Sequence, residues 1–188
     1  MRLFLALEPD TAARARLGRL LHQVQAAWSS DSAMLRWVPA ENLHVTLHFL
    51  GEVDDQGLER LRQALAAPFS IAPFAIELDR VEVAPPHGRP RVLWLTGAAS
   101  EAARQLHQAA GERIVAAGRR VEPRPFAAHV TLARVPDRLG REAGQLRRSW
   151  TAPESLPISW TVDRVTLFRS DLSGPVPRYA PLLTVALA

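Results

Sequence analysis

Apolar and polar positions follow two different periods along this chain, and the period switches back and forth. Residues 2–7 form an apolar run closed by Glu8 and Pro9, too short for a membrane span or a signal-peptide core, and they predict a first strand. Leu17, Leu20, Leu21 and Val24 then recur at helical spacing, so a helix capped at Asp10-Thr11 is expected to run to about Trp28. A strand over residues 43–50 ends at Gly51, and residues 54–67 return to helix with Leu58, Leu61 and Leu65 on one side. Residues 74–83 alternate like one half-buried strand, residues 85–88 turn, and residues 92–96 come back antiparallel.

After that point the series of elements begins again. A helix is predicted over 99–117, a strand over 126–135, a helix over 139–150, a strand over 158–168 and a last strand near the C-terminus. Two local repeats support an internal duplication. His44-Val45-Thr46-Leu47 recurs as His129-Val130-Thr131-Leu132, and Leu78-Asp79-Arg80-Val81 is echoed by Val162-Asp163-Arg164-Val165 at nearly the same offset. The expected architecture is a single α/β domain of the α+β type over residues 1–188, with repeat halves of roughly 1–97 and 98–188. Two lobes related by a pseudo-twofold axis, each an antiparallel sheet backed by helices, would then flank a central cleft.

Composition narrows the chemistry more than the charge does. The 188 residues include no cysteine, which removes disulfides, thiolate nucleophiles and cysteine-based zinc sites. All 23 basic residues are arginine, so a lysine-dependent nucleotidyl transferase, a P-loop NTPase and a pyridoxal Schiff-base enzyme are excluded. A net charge of +4 suits an anionic partner, but the all-arginine usage reads as a general compositional bias. A cytoplasmic home fits the missing cysteines.

On a strand, side chains alternate between faces. His44, Thr46 and His48 therefore share one side, and His129 and Thr131 share the matching side of the second copy. Two imidazoles facing one cleft can supply both a base for the attacking oxygen and an acid for the departing one. Each threonine hydroxyl can hold a non-bridging phosphate oxygen. Nothing in this scheme calls for a metal or cofactor. The i, i+4 spacing of His44 and His48 matches helical zinc sites, but on a strand such residues lie roughly 13 Å apart and cannot share an ion. His48 is read as a wall residue of the cleft, and His22, His87 and His107 as surface histidines. By these residues alone the two tetrad histidines are interchangeable as acid and base.

The paired tetrads, together with the opening run at 2–7, the stretch 36–39 leading into 42–51, the block 126–134 and the ending 167–170 with Tyr179, resemble the 2H phosphoesterases. Within them, the closest likeness is to the bacterial and archaeal RNA 2′,3′-cyclic phosphodiesterases once called 2′-5′ RNA ligases. The resemblance implies that His44 is the proton donor to the leaving 3′ oxygen and His129 the proton acceptor that activates water, yielding a 2′-phosphomonoester. It implies Thr46, Thr131 and Arg134 as substrate-binding residues. The implied partner is RNA with a 2′,3′-cyclic phosphate end, tRNA fragments among the candidates, with no membrane, no metal and a monomeric state.

Strict alternation objects to Arg134, which shares the parity of Val130 and Leu132. Arg119, Arg120 and Arg124 could guide an RNA backbone or simply solvate a loop. Trp37, Phe49 and Tyr179 are candidates for base stacking, although the parity of Phe49 points it at the core. A hydrolase of a small cyclic phosphate and a non-catalytic RNA-binding module are the rival readings.

Overall fold

The computed structural model describes residues 1–27, 35–137, 156–174 and 176–188. The helix expected over 139–150 lies outside them, as does the predicted helix end at Trp28. In chain order the described elements are β1 (Arg2–Leu7), α1 (Thr11–Ala27), β2 (Arg36–Trp37), a single 3₁₀ turn (Ala40–Asn42), β3 (Val45–Glu52), α2 (Asp55–Leu65), β4 (Phe74–Leu78), β5 (Arg80–Ala84), β6 (Val92–Thr96), α3 (Glu101–Ala116), β7 (His129–Arg134), β8 (Ile158–Val162), β9 (Arg164–Asp171) and β10 (Arg178–Ala186).

The helices start where short polar side chains can take up free backbone amides. Asp10 Oδ1 accepts from Ala13 N at 2.7 Å, Asp54 Oδ1 from Gly57 N at 2.7 Å and Ser100 Oγ from Ala103 N at 3.2 Å. Each helix turns its apolar stripe inward: Leu17, Leu20, Leu21 and Val24 of α1, Leu61 and Leu65 of α2, and Leu106, Ala110 and Ile114 of α3 are all buried. They share one core with Leu3, Leu5 and Leu7 of β1 and with Val45, Val130, Leu132 and Val165 from the neighbouring strands. The other face of β1 carries Phe4 and Ala6, which form a separate small cluster with Phe168 and Tyr179.

Eight strands form one antiparallel sheet in the order β10-β9-β1-β3-β7-β6-β5, with β2 beside β7, while β4 and β8 pair separately. The 74–83 and 158–168 segments, each expected as one strand, are two strands apiece. The chain leaves the small sheet at Asp79 and at Asp163 and enters the large one at the next residue. At both corners two exposed polar residues stand in succession, Asp79-Arg80 and Asp163-Arg164, and this break in the period-2 pattern marks the change of sheet.

Equivalent residues of the two tetrad repeats meet each other in space. Val45 lies opposite Val130, and Ile76 opposite Trp160, at the 85- and 84-residue offsets seen in the sequence. An antiparallel pair that sets a residue against its own counterpart is what a local twofold axis requires. Around the large sheet the order β9-β1-β3 is mirrored by β5-β6-β7, so each side takes strands from both parts of the chain. No described helix is long and apolar enough to cross a membrane.

Candidate active site

The two sides of the large sheet touch through a narrow seam. Between β3 and β7 the register contains a single pair, Val45 opposite Val130, both fully buried. On either side of that pair stand His44 and Thr46 in one strand and His129 and Thr131 in the other. Since the valines face the core, all four polar side chains face the open side, where each is partly exposed. The two tetrads are thus brought side by side at the seam.

Both histidines are held the same way. His44 Nδ1 lies 2.7 Å from the Asn42 carbonyl and His129 Nδ1 lies 2.8 Å from the Ala127 carbonyl, two residues upstream in each case. A carbonyl can only accept, so each Nδ1 carries a proton and donates it, which leaves Nε2 as the exchangeable nitrogen. At His44, Nε2 is 3.0 Å from Thr46 Oγ1, and in the neutral ring that hydroxyl donates to it.

Burial holds both rings toward the neutral form. The pKa of His44 is lowered to about 4, first by desolvation; its bond to Asn42 opposes this, and the charges of His129, Arg134 and Arg14 add to it. His129 is also pushed below the usual imidazole value by burial, against the pull of the Ala127 carbonyl. A neutral pair is therefore the resting state at pH 7, in contrast to the mixed charge state that unperturbed imidazoles would have.

Aromatic rings pack against each histidine. Phe4 lies 4.9 Å from His44, and Tyr179 meets His44 edge-on at 5.4 Å. Phe4 also contacts Phe168 at 5.3 Å and Tyr179 at 4.9 Å. An open pocket next to His44 is lined by Phe4, Asn42, Phe168 and Tyr179. On the other side, Trp94 packs against His129 at 4.5 Å.

Two bulges correct the parity arguments. Leu93 pairs with Ala133 while Trp94 pairs with Thr131, so β7 spends one extra residue at Leu132. The phase shifts there, Ala133 turns into the core, and Arg134 comes out exposed on the face of His129 and Thr131. Its charge is felt at both His44 and Tyr179. In β3 the same irregularity falls at Leu47, since Leu5 pairs with His48 and Ala6 with Thr46. Phe49, expected on the core face, is 60% exposed and lies 6.4 Å from Phe4.

The bulge also moves His48, which the alternation placed on the wall of the site. It is buried on the helix side instead, where Nε2 donates to the His107 carbonyl at 2.8 Å and the ring stacks on His107 at 4.1 Å. His107 is accordingly a half-buried packing residue rather than a surface one. Trp37 packs in part against the main core, opposite Ala133. Arg119 is a structural tie, donating to the Leu50 and Glu52 carbonyls at 3.0 and 2.7 Å, and Arg124 pairs with Glu122. The carbonyls of Asn42 and Ala127 and the ring of Phe4 escaped the sequence reading: a backbone acceptor has no residue signature, and Phe4 sits inside an unbroken apolar run.

An antiparallel α/β fold with two His-x-Thr-x strands crossing at its centre is the architecture of the 2H phosphoesterases. The chain matches the 2′-5′ RNA ligase superfamily over residues 7–174 and belongs to that family. It is 33% identical over 135 residues to an RNA 2′,3′-cyclic phosphodiesterase of Archaeoglobus fulgidus, covering 72% of this chain and 73% of that one. To the enzyme of the same name from Bacillus subtilis it is 28% identical over 163 residues, 81% of each chain. Among solved structures, E. coli LigT complexed with 3′-AMP superposes with a TM-score of 0.72 at 26% identity, covering 99% of this chain and 97% of that one.

Proposed function

We propose that the protein hydrolyses RNA 2′,3′-cyclic phosphodiester ends to 2′-phosphomonoesters by general acid and base catalysis between His44 and His129. One observation carries this reading: the matched bonds of the two Nδ1 atoms, which leave both Nε2 atoms on one face across a seam that is a single residue pair wide. In the reaction, His129 Nε2 takes a proton from water as its oxygen attacks phosphorus. The P–O3′ bond breaks, and His44 Nε2 gives its proton to the departing 3′ oxygen. Thr46, Thr131 and Arg134 hold the non-bridging oxygens as charge develops on them.

The aromatic surroundings support this direction of the pair. Phe4, Phe49, Phe168 and Tyr179 lie around His44, where a ribose and base would pack, whereas the ring packed against His129 is that of Trp94. The leaving oxygen belongs to the ribose, so the acid belongs on the aromatic side. The low basicity of His44 in the empty site requires it to take up its proton along with the substrate, whose negative charge offsets the desolvation and, after it, the neighbouring cations that hold the ring neutral. Run backwards, the same groups would join a cyclic phosphate to a 5′ hydroxyl without ATP. We read the chain as one domain of two repeats, working as a cytoplasmic monomer without a metal ion.

The test is an oligoribonucleotide with a 2′,3′-cyclic phosphate end, incubated with the protein in excess chelator, followed by identification of the product phosphate. A 2′-phosphomonoester is the expected product. Failure to turn over, dependence on added metal, or a 3′-phosphate product would overturn the reading.

A further inference from the structure

We propose that Arg36 binds the phosphate on the 5′ oxygen of the terminal nucleoside, so that the site is built for a strand of RNA and not for a free cyclic mononucleotide. This rests on the cyclic-phosphate reading above. It starts from the pairing of β2 with β7, where Arg36 lies directly opposite Arg134.

Partners in an antiparallel pair project to the same face, with Cβ atoms about 4.5–5.5 Å apart. The bulge at Leu132 puts Arg134 on the face of His129 and Thr131, so Arg36 shares that face. Its neighbour Trp37 alternates into the core, as it must if Arg36 points out. Two guanidinium groups set against each other repel, and among the described residues neither has a carboxylate within ion-pair distance. By contrast, Arg14 donates to the Ala40 and Glu41 carbonyls, and Arg119 ties α3 to β3. Anionic groups bound at Arg36 and at Arg134 would relieve the repulsion and offer acceptors to their donors.

The spacing sets which phosphate this is. Arg134 follows Thr131 by three residues across the bulge, and its charge is felt at His44, which assigns it to the reacting phosphate. Arg36 stands one strand across from it and is free to take a second phosphate on the same face. A cyclic mononucleotide with a free 5′ hydroxyl has one phosphate and engages one of the pair. An RNA end brings a second phosphate, one ribose away.

The experiment compares kcat/KM for 2′,3′-cyclic AMP bearing a 5′ phosphate with the same compound bearing a 5′ hydroxyl, in the wild type and in Arg36→Gln and Arg36→Lys. The wild type is expected to prefer the 5′-phosphorylated substrate on the order of tenfold or more, Arg36→Gln to lose that preference, and Arg36→Lys to retain part of it. With a cyclic-phosphate oligonucleotide, Arg36→Gln should also flatten the salt dependence by about 0.7 in log–log slope. Equal activity of the wild type on both compounds, or an equal loss on both in Arg36→Gln, overturns the proposal while leaving the two-histidine reading intact. Should the wild type turn over neither mononucleotide, the oligoribonucleotide assay decides the two-histidine reading. Affinities for adenosine 3′,5′-bisphosphate and 3′-AMP, measured on wild type and Arg36→Gln, then decide the role of Arg36 by themselves: the bisphosphate advantage must shrink in the variant.

Discussion

Phe49 and Arg134 occupy the same position in the two repeats, each five residues after its histidine and each turned onto the open face by a bulge three residues after that histidine. One backbone device thus presents an aromatic ring on one side and a guanidinium on the other. The asymmetry of the site lies in this exchange. Arg134→Gln should lower kcat/KM for a cyclic phosphate by about 10- to 100-fold, the loss of a charge-assisted contact. Phe49→Ala should raise KM for a nucleoside cyclic phosphate with little change in kcat. Because Phe49 is 60% exposed, melting temperature should stay close to wild type.

Removal of either ring tests the catalytic pair. His44→Ala and His129→Ala are each expected to cut hydrolysis by about 10²- to 10⁴-fold. Circular dichroism should show an unchanged fold, since both rings lie on the open face rather than in the core. Near-wild-type turnover in both variants would refute the acid–base roles.

The free and occupied sites should titrate differently. In the free protein His44 has a pKa of about 4 and His129 is also lowered, so the bell in kcat/KM is expected to centre below pH 6.5. Bound phosphate favours the protonated rings, which moves the kcat profile to higher pH. Calorimetric titration with inorganic phosphate at pH 7, repeated in buffers of different ionisation enthalpy, should reveal net proton uptake.

Stability should fall in acid for a related reason. His44, His48, His107 and His129 all have lowered pKa values with burial as the leading cause, so on acidification the unfolded chain binds protons before the folded one does. The contribution is complete above pH 6.5 and is lost as pH falls toward the folded values, at up to about 1.4 kcal/mol per pH unit for the deeply buried His44 and less for the rings that solvent reaches. Denaturant midpoints at pH 7 and pH 5 should differ in that direction. His48→Gln should reduce the difference, because it removes one of the titrating groups.

The packing of Gly97 sets a steric test. A Cβ placed there would lie 2.1 Å from the Glu77 carbonyl oxygen and 3.0 Å from Leu78 Cα, both of them backbone. Gly97→Ala should destabilise the protein by about 1–3 kcal/mol, at roughly 2–4 °C of melting temperature per kcal/mol. Gly111, whose added Cβ would meet the His48 ring at 3.4 Å and Val121 at 4.0 Å, should accept alanine with a much smaller loss.

What the amino-acid order determined by itself was periodic and repeated. The helical stripes of α1, α2 and α3, the strands around both tetrads and the equivalence of His44 with His129 were all legible, because period and identity are properties of local sequence. The tertiary structure alone decided how those segments are phased and where they meet. A bulge adds one residue without altering composition, so the outward turn of Phe49 and Arg134 and the inward turn of His48 depend on pairing with β1 and β6. The basicity of His44 was equally invisible, since it arises from burial and from charges contributed by α1 and β7.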